Sequence, residues 1–305
     1  MAVRNPLVVI QRNPLSGSGR GRRELLQLIR TLRKHGFQVR MFANRSLLDQ
    51  YVQQPETAAR LHCLVAAGGD GTLVSVADRH PTATLALLPL GTENLVARYL
   101  SIPCCGRTVG RIIATGFVRI FDSGIVQQQR FLLMISCGPD ARVIQLVNQN
   151  RTRNISRIDY LVPVFRTLLL EPLHRYQVRT DEHGKVLEGC HVLVTNIPRY
   201  GFDLRFSPEA SPDDGTLHVR IVHCTSRLQM LRHAFRVLFR LRPRASEVTV
   251  LHAQRVTITL KNEVTGAPLS QFDGEPGPSP PLNIRVAPAS VRLLCRPLND
   301  SNGAN

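Results

Sequence analysis

Residues 64–72 read Leu-Val-Ala-Ala-Gly-Gly-Asp-Gly-Thr, an apolar run that ends in a turn rich in glycine. Four consecutive apolar residues are typical of a strand that is buried on both faces, as in a parallel sheet. Similar apolar runs at 7–10 and 85–90 also end in turn residues, and a helical pattern of leucines occupies 24–34. This alternation predicts a parallel α/β domain over residues 1–125, with helices on both faces of its sheet.

The pattern changes after about residue 125, where short strand-like runs follow one another with turns between them. These runs lie at 131–137, 176–180, 191–196, 217–223, 248–251, 256–260 and 284–286. Helical patterns occupy only 156–170 and 226–241. We expect an antiparallel β-sandwich over 126–298 and a frayed tail at 299–305. For the last part of 126–298 there are two alternatives: it belongs to the sandwich, or it packs against the first domain.

The composition fits a folded protein whose partners are anionic. Lys and Arg number 39 against 22 Asp and Glu, a formal charge of +17, which favours nucleic acid, phosphates or an acidic membrane face as partners. The alternative is an arginine-rich surface that is simply solvated. No apolar run is long enough to span a membrane or to act as a signal peptide, so we expect a cytoplasmic protein. The seven cysteines include no C-x-x-C pair, which favours free thiols over zinc or disulfides.

Glycine turns after buried strands are the first candidate site. In a parallel sheet, ligands bind beyond the carboxyl ends of the strands, where bare backbone N–H groups can face an anion. The turn at 68–72 is therefore a candidate phosphate cradle, and 13–21 and 91–92 are two more. Asp70 would repel phosphate unless a metal or a proton mediates, and its alternative role is to cap the following helix.

Acidic turns in the second half are the other candidates. Asp273-Gly274-Glu275 and Asp213-Asp214-Gly215 each offer two carboxylates around a tight turn. Carboxylates grouped in this way suit metal binding or proton transfer. Asp-Gly pairs also occur in hairpins for conformational reasons alone, so both interpretations stay open.

Taken together, these motifs resemble the diacylglycerol kinase catalytic family, which includes bacterial lipid kinases, sphingosine kinases and ceramide kinases. The match covers nearly the whole chain, in the family's order and approximate spacing. The matching segments are Asn13-Pro14 with Ser16-Gly17, GGDGT at 68–72, Pro89-Leu90-Gly91-Thr92 with Asn94, Asp213-Asp214-Gly215, and Asp273-Gly274-Glu275. GGDGT alone is shared with NAD kinases, so the full set carries the resemblance to a bacterial-type soluble lipid kinase.

The resemblance implies an α/β nucleotide-binding domain followed by a β-sandwich lipid-substrate domain, with ATP in the cleft between them. The implied nucleotide-binding residues are Asn13, Pro14, Ser16, Gly17, Gly68, Gly69, Asp70, Gly71, Thr72, Leu73, Val74, Gly91, Thr92 and Asn94. The implied catalytic acids are Asp70, Asp273 and Glu275, of which Asp273 and Glu275 are favoured as the base. Mg²⁺ is implied at Ser211, Asp214 and Thr216, held partly by main-chain carbonyls, and Asp122 lies where the family often has an aspartate.

The motif after the predicted strand at 85–90 departs from the family pattern at two positions. The family usually reads Gly-Thr-Gly/Ala-Asn-Asp, whereas this chain has Glu93 before Asn94 and Leu95 where the aspartate is expected. A relay to Mg²⁺ through position 95 is therefore not expected, and Glu93 adds negative charge near the proposed phosphates.

A basic amphipathic helix is predicted at 227–244. Leu228, Leu231, Phe235 and Leu238 share one helical face, and Arg232, Arg236 and Arg240 form a cationic stripe. Such a helix can bind an anionic membrane surface. The preferred alternative packs the Leu/Phe face on the sandwich with the arginines outward. We expect a peripheral membrane association and no nucleic-acid partner, because aromatic stacking residues are few; a homodimer is an open option.

The sequence therefore predicts an ATP- and Mg²⁺-dependent lipid kinase that phosphorylates a hydroxyl of a diacylglycerol- or sphingoid-like lipid. One alternative is an NAD kinase-like enzyme that acts on a small molecule. The other is a nucleotide- or lipid-binding relative that has lost catalysis, which Glu93 and Leu95 motivate.

Overall fold

The computed structural model describes residues 5–14, 19–149, 157–201, 204, 206–239, 241, 244, 246–261 and 270–297. The chain forms two compact units. Unit 1 comprises residues 1–121 and 290–305, and unit 2 comprises residues 122–289. The tail at 299–305, predicted to fray, lies outside the described residues.

The strands and helices are numbered in chain order. Strands β1 to β16 are Leu7–Arg12, Gln38–Phe42, Leu61–Gly68, Thr84–Pro89, Phe117–Val126, Gln129–Phe131, Met134–Cys137, Tyr176–Thr180, Leu187–Gly189, His191–Thr195, Leu217–Val222, Val248–Ala253, Arg255–Leu260, Ser270–Phe272, Glu275–Pro276 and Leu282–Cys295. Helices α1 to α9 are Gly19–Lys34, Arg45–Gln53, Pro55–Arg60, Asp70–Arg79, Leu95–Tyr99, Gly106–Thr115, Pro139–Gln149, Leu161–Leu170 and Arg227–Leu238. A 3₁₀ turn, Arg157–Tyr160, precedes α8.

Unit 1 is built on a parallel sheet with the strand order β2-β1-β3-β4-β16. Its central strands β1, β3 and β4 are almost entirely buried because their residues are apolar on both faces. Burying one such Val, Ile or Leu side chain stabilises the fold by about 1.5–3 kcal/mol. The parallel order sets the carboxyl ends of β1, β3 and β4 along one edge of the sheet.

Helices α1 and α6 approach closely because α6 begins with a glycine. A Cβ on Gly106 would lie 1.8 Å from the carbonyl oxygen of Glu24, so the contact requires a residue without a side chain. The Glu24 carboxylate accepts a hydrogen bond from the Gly106 N–H at 2.8 Å, which pairs an anion with the positive end of α6. Both helices also contact the sheet, α1 at β2 and α6 at β4.

Unit 2 is a sandwich of antiparallel strands. One set of strands, β12-β11-β10-β7-β14-β15, pairs antiparallel throughout. The other contains β13, β8 and β9 with the first part of β16, and β5 pairs with β6. Val192, Val194, Val219, Val256 and Ile258 are fully or almost fully buried in the core shared by the two layers. An N-terminal parallel α/β fold and a C-terminal antiparallel sandwich are thus confirmed.

Two sequence predictions for unit 2 are wrong in detail. The run 131–137 is not one strand, because residues 132 and 133 form a bend between β6 and β7. The helix α7 was not expected, although Pro139 at its first position is a typical helix start. It packs against β7, β14 and β15.

The preferred packing of helix α9 is also wrong. Met230 and His233 form its buried side, whereas Leu228, Phe235 and Leu238 are exposed to solvent. The helix packs through residues that are neither the leucine face nor the arginine stripe. Within the described ranges, no helix is long and apolar enough to cross a membrane.

Candidate active site

Three turns meet at the carboxyl edge of the unit 1 sheet. The turn after β3 and the turn after β4 lie backbone to backbone, since a Cβ on Gly91 would lie 2.6 Å from the Cα of Gly69. The loop after β1 joins them through Asn13, whose Nδ2 donates a hydrogen bond to Thr72 Oγ1 at 3.3 Å. The main chain of the two glycine turns, the Asn13 amide and the Thr72 hydroxyl group therefore lie close together.

The turn after β3 is folded tightly onto helix α4. A Cβ on Gly68 would lie 2.2 Å from Thr72 Oγ1, so glycine is needed there. Gly69 is the N-cap of α4. Pro14, Gly71 and Thr92 are exposed, Thr72 and Leu73 are buried and Val74 is half-buried; Ser16 and Gly17 lie outside the described residues.

The turn after β4 is held by Asn94. Its Oδ1 accepts the Gly91 N–H at 2.9 Å, and its Nδ2 donates to the Gly91 carbonyl at 2.6 Å. Asn94 has a left-handed backbone with φ of 49°, a conformation that asparagine tolerates better than most residues. The turn is therefore fixed by the asparagine of the Gly-Thr-x-Asn motif.

Asp70 links the β3 turn to the β4 turn. Its carboxylate accepts the backbone N–H of Leu95 at 2.8 Å and of Val96 at 3.1 Å, so it caps α5 rather than the helix that follows it in sequence. Burial raises the pKa of Asp70, an effect that the hydrogen bonds from Leu95 and Val96 oppose and the charge of Glu93 reinforces. Leu95 thus contributes its main chain at a position where the family has an aspartate.

In unit 2, the acidic turn Asp273-Gly274 is a two-residue hairpin between β14 and β15. Both residues have positive φ, 49° and 83°, as a type I′ turn requires. The Asp273 carboxylate accepts three backbone N–H groups, from Leu132 at 2.7 Å, Leu133 at 2.8 Å and Met134 at 2.9 Å. Asp273 therefore fastens the hairpin to the bend before β7.

Glu275, two residues further on, has a different environment. It lies on β15 and is exposed. Of the two acids of this turn, Glu275 is the more exposed, whereas Asp273 is half-buried and its oxygens accept three backbone N–H groups.

A buried polar network lies beneath the hairpin, and sequence reasoning missed it. Gln271 is 1% exposed; its Oε1 accepts the Gly274 N–H at 3.0 Å and its Nε2 donates to Ser136 Oγ at 2.7 Å. Ser136 in turn donates to Asp140 Oδ2 at 2.5 Å. Asp140 also accepts the Tyr200 hydroxyl at 2.8 Å and lies 3.0 Å from His191 Nε2.

Asp140 is the charged centre of this network. Burial alone would raise its pKa, but the nearby charge of His191 and hydrogen bonds from Ser136 and Tyr200 outweigh burial and lower it to about 2. Burial would lower the pKa of His191, but the Asp140 carboxylate raises it above its ordinary value. The two groups therefore form a buried ion pair, connected to the acidic hairpin through Gln271. A helix start at Pro139-Asp140 was the one signal available in the sequence.

The loop predicted to bind metal is internally bonded. Asp214 Oδ1 accepts the N–H and the hydroxyl of Thr216 at 2.9 and 3.0 Å, and its Oδ2 lies 2.7 Å from His218 Nε2. Ser211 donates to Asp213 at 2.5 Å. In the described part of the chain, no group of three or more His, Cys, Asp or Glu side chains could hold a metal ion.

Asp122 anchors that loop. Its two carboxylate oxygens accept the N–H groups of Gly215 and Ala289, both at 2.7 Å, and it is 5% exposed. These two hydrogen bonds give Asp122 a structural role, which is to hold the loop in place.

Comparison with known proteins assigns the family. The model of the diacylglycerol kinase catalytic domain matches residues 6–126, and that of the YegS C-terminal NAD kinase beta sandwich-like domain matches residues 133–295. The chain belongs to the diacylglycerol kinase family. The resemblance inferred from the sequence is thereby confirmed, and membership of this kinase family indicates a phosphotransferase with ATP as the phosphate donor.

Relatives of this diacylglycerol kinase family member are distant in sequence. The diacylglycerol kinase of Bacillus subtilis (strain 168) is 25% identical over 275 residues, which cover 87% of this chain and 88% of that protein. That of Staphylococcus aureus (strain MRSA252) is 27% identical over 230 residues, covering 72% and 71%.

Solved structures show the same fold. The crystal structure of a diacylglycerol kinase from Bacillus anthracis str. Sterne matches with a TM-score of 0.73 at 21% identity, covering 97% of this chain and 99% of that one. A yeast NADH kinase complexed with NADH matches with a TM-score of 0.53 at 12% identity, covering 98% and 86%. At these identities the likeness concerns the fold alone.

Proposed function

We propose that this protein is a lipid kinase that transfers the γ-phosphoryl group of ATP to a hydroxyl of a diacylglycerol- or sphingoid-like lipid. The observation that carries the proposal is the meeting of three strand-end turns, where Gly69 and Gly91 adjoin and Asn13 bonds to Thr72. Main-chain N–H groups at such turns are a common way to bind phosphates. The family membership and the curated diacylglycerol kinase relatives support a lipid as the acceptor.

The nucleotide is assigned to the turns of unit 1. Its phosphates are assigned to the residues named from the sequence at 13–17, 68–74 and 91–94. Asp70 serves there as a positioning residue, because its two oxygens hold the start of α5. Glu93 departs from the family pattern, and its negative charge would weaken triphosphate binding by repulsion.

The acceptor hydroxyl is assigned to the acidic hairpin of unit 2. Its oxygen attacks the γ-phosphorus while the bond to the β,γ-bridging oxygen breaks, and ADP leaves with that electron pair. The hydroxyl proton passes to a carboxylate, for which Glu275 is our choice because it is exposed, whereas Asp273 holds three amides. Asp273 then acts by positioning the hairpin.

The Mg²⁺ site is assigned to the 211–216 loop. The loop offers hydroxyl and carbonyl oxygens, the hard donors that Mg²⁺ prefers. Since Thr216 and His218 occupy the Asp214 carboxylate, the main-chain carbonyls of Ser211, Asp214 and Thr216 are the candidate ligands. When bound, the ion would neutralise charge on the transferring phosphoryl group.

The test is phosphorylation of a total lipid extract in mixed micelles with labelled ATP, followed by identification of the product. Glu275→Gln should lower kcat by roughly 10²–10⁴ without changing affinity for ATP, as loss of a general base does. Glu182→Gln, which changes another exposed glutamate in a turn of unit 2, is the matched control and should behave as wild type. Full activity of Glu275→Gln would remove its assigned role.

An NAD kinase-like activity is the second candidate. The fold likeness to a yeast NADH kinase and the description of the C-terminal family model favour it. The same assay with NAD and NADH as acceptors separates the two. ATP binding without turnover on lipid or dinucleotide would instead support a relative that has lost catalysis.

A further inference from the structure

Helix α8 presents an apolar outer face to solvent. Its large exposed side chains repeat at helical spacing and are 51% to 75% accessible: Val162, Phe165, Leu169 and Leu170. Thr167, on the opposite side, is buried. A soluble surface normally scatters such residues singly, so a continuous row on one helix indicates a function.

Helix α9, its C-cap Phe239 and nearby Leu241 carry a second set. The side chains are 51% to 77% accessible: Leu228, Phe235, Leu238, Phe239 and Leu241. The rings of Phe235 and Phe239 contact each other with centroids 4.3 Å apart. This face is exposed because α9 packs through Met230 and His233.

The two helices are joined to each other. The Arg227 guanidinium donates to the carbonyl oxygens of Leu169 at 3.1 Å and Leu170 at 3.2 Å, so the start of α9 caps the end of α8. The nine exposed apolar residues therefore belong to one structural element of unit 2, which we call the α8–α9 face.

The chain segment that contains α9 is rich in arginine. Residues 223–244 contain six arginines and no aspartate or glutamate, and Arg166 is exposed on α8 between the apolar residues. Arg232 is held by Glu247 at 2.5 Å, so it is a poor choice for testing surface charge. Apolar side chains set among arginines match the boundary between the anionic head groups and the acyl chains of a bilayer.

A second copy of the chain would fit this face less well. An isologous dimer brings the same patch against itself, so arginine-rich surfaces would face each other and repel. An anionic bilayer accepts both the apolar and the cationic parts at once.

We propose that the α8–α9 face docks the protein on an anionic lipid bilayer. Its biological purpose rests on the proposed function, because a lipid acceptor lies in a membrane. The docking itself needs no nucleotide and no turnover, so it is measured separately from the kinase activity.

The experiment is co-sedimentation of the full chain with vesicles of phosphatidylcholine containing phosphatidylglycerol, and with phosphatidylcholine alone. Wild type should bind the anionic vesicles and bind the neutral ones weakly. Phe165→Ser and Phe235→Ser should each lower partitioning about tenfold, since each removes one large apolar anchor. Arg166→Ser should lower binding to anionic vesicles only. Leu47→Ser, which changes an exposed leucine on α2 of unit 1, is the matched control and should bind as wild type.

Thermal melting should be unchanged in all four variants, because the side chains are exposed. Equal vesicle binding by wild type, Phe165→Ser and Phe235→Ser would overturn the proposal. So would a wild-type dimer by light scattering that Phe235→Ser converts to a monomer. A protein that docks normally but phosphorylates no lipid would refute the proposed function and leave the docking surface standing.

Discussion

Removing the charge of Asp140 should reveal how much the buried network stabilises unit 2. The carboxylate is only 14% exposed and accepts hydrogen bonds from Ser136 and Tyr200 beside His191. Asp140→Asn alone would leave the His191 cation buried without its partner, at a cost of about 3–5 kcal/mol. The double variant Asp140→Asn/His191→Gln removes both charges and is therefore the better reference.

The magnitude follows from the lowered pKa of Asp140. Folding shifts it from 3.8 to about 2, which corresponds to roughly 2 kcal/mol of stability. Because the pKa in the folded state is lower, this contribution is present above pH 3.8 and is lost as the pH falls towards 2. Roughly half of it should already be lost at pH 3. His191 keeps its proton throughout this range, since its pKa is raised.

The assay is urea unfolding of wild type and the double variant at several pH values between 5 and 3. The difference in free energy of unfolding should shrink by about 1 kcal/mol over that interval. Glu182→Gln, which changes an exposed glutamate in a turn of unit 2, is the control for a change of surface charge. A difference between wild type and the double variant that does not change with pH would refute the reasoning.

Three further outcomes are expected. Asp273→Asn should lower the free energy of unfolding by about 1–3 kcal/mol, because an NH₂ group would face backbone N–H donors, whereas Glu275→Gln should change it by less than about 0.5 kcal/mol in the same denaturation series. Asp70→Asn should cost a similar 1–3 kcal/mol by weakening the cap of α5, as urea unfolding would show; an unchanged midpoint contradicts the cap. Gly91→Ala should abolish the thermal shift produced by ATP, because its Cβ would lie 2.6 Å from Gly69 Cα, and a normal shift would contradict the assigned site.

The fold of unit 1 was predictable because its strands are buried on both faces. The apolar runs at 64–67 and 85–88 lie within β3 and β4, and the glycine turns follow directly. Because the strands are parallel, the turns at their carboxyl ends must lie along one edge of the sheet, so their proximity could be predicted as well. The partner of Asp70 was not predictable, because Leu95 and Val96 lie 25 and 26 residues away and contribute only their main chain.

In unit 2 the strands were easier to predict than the bends, helix packing and polar contacts around them. The alternation and apolar character of their residues indicated β10 and β11. The run 131–137 looks like one strand in the sequence, but it contains a bend. The backbone N–H groups of that bend and of the residue after it bind Asp273, which lies 139 to 141 residues later. The exposure of Phe235 could not be read from its helix either, since an apolar face looks the same whether it packs inward or outward. The Asp140 network was missed because its members come from separate segments of the chain.

Strand β16 has a consequence for how the chain is made. Arg292 and Leu293, near its end, lie beside Thr84 and Leu85 of β4, and they are synthesised long after β4. Until they emerge, β4 has one edge with unpaired backbone groups, the kind of edge that promotes aggregation. A fragment cut at residue 125 would keep that edge permanently open, so the N-terminal unit cannot be excised by truncation and should be expressed with the C-terminal strand restored.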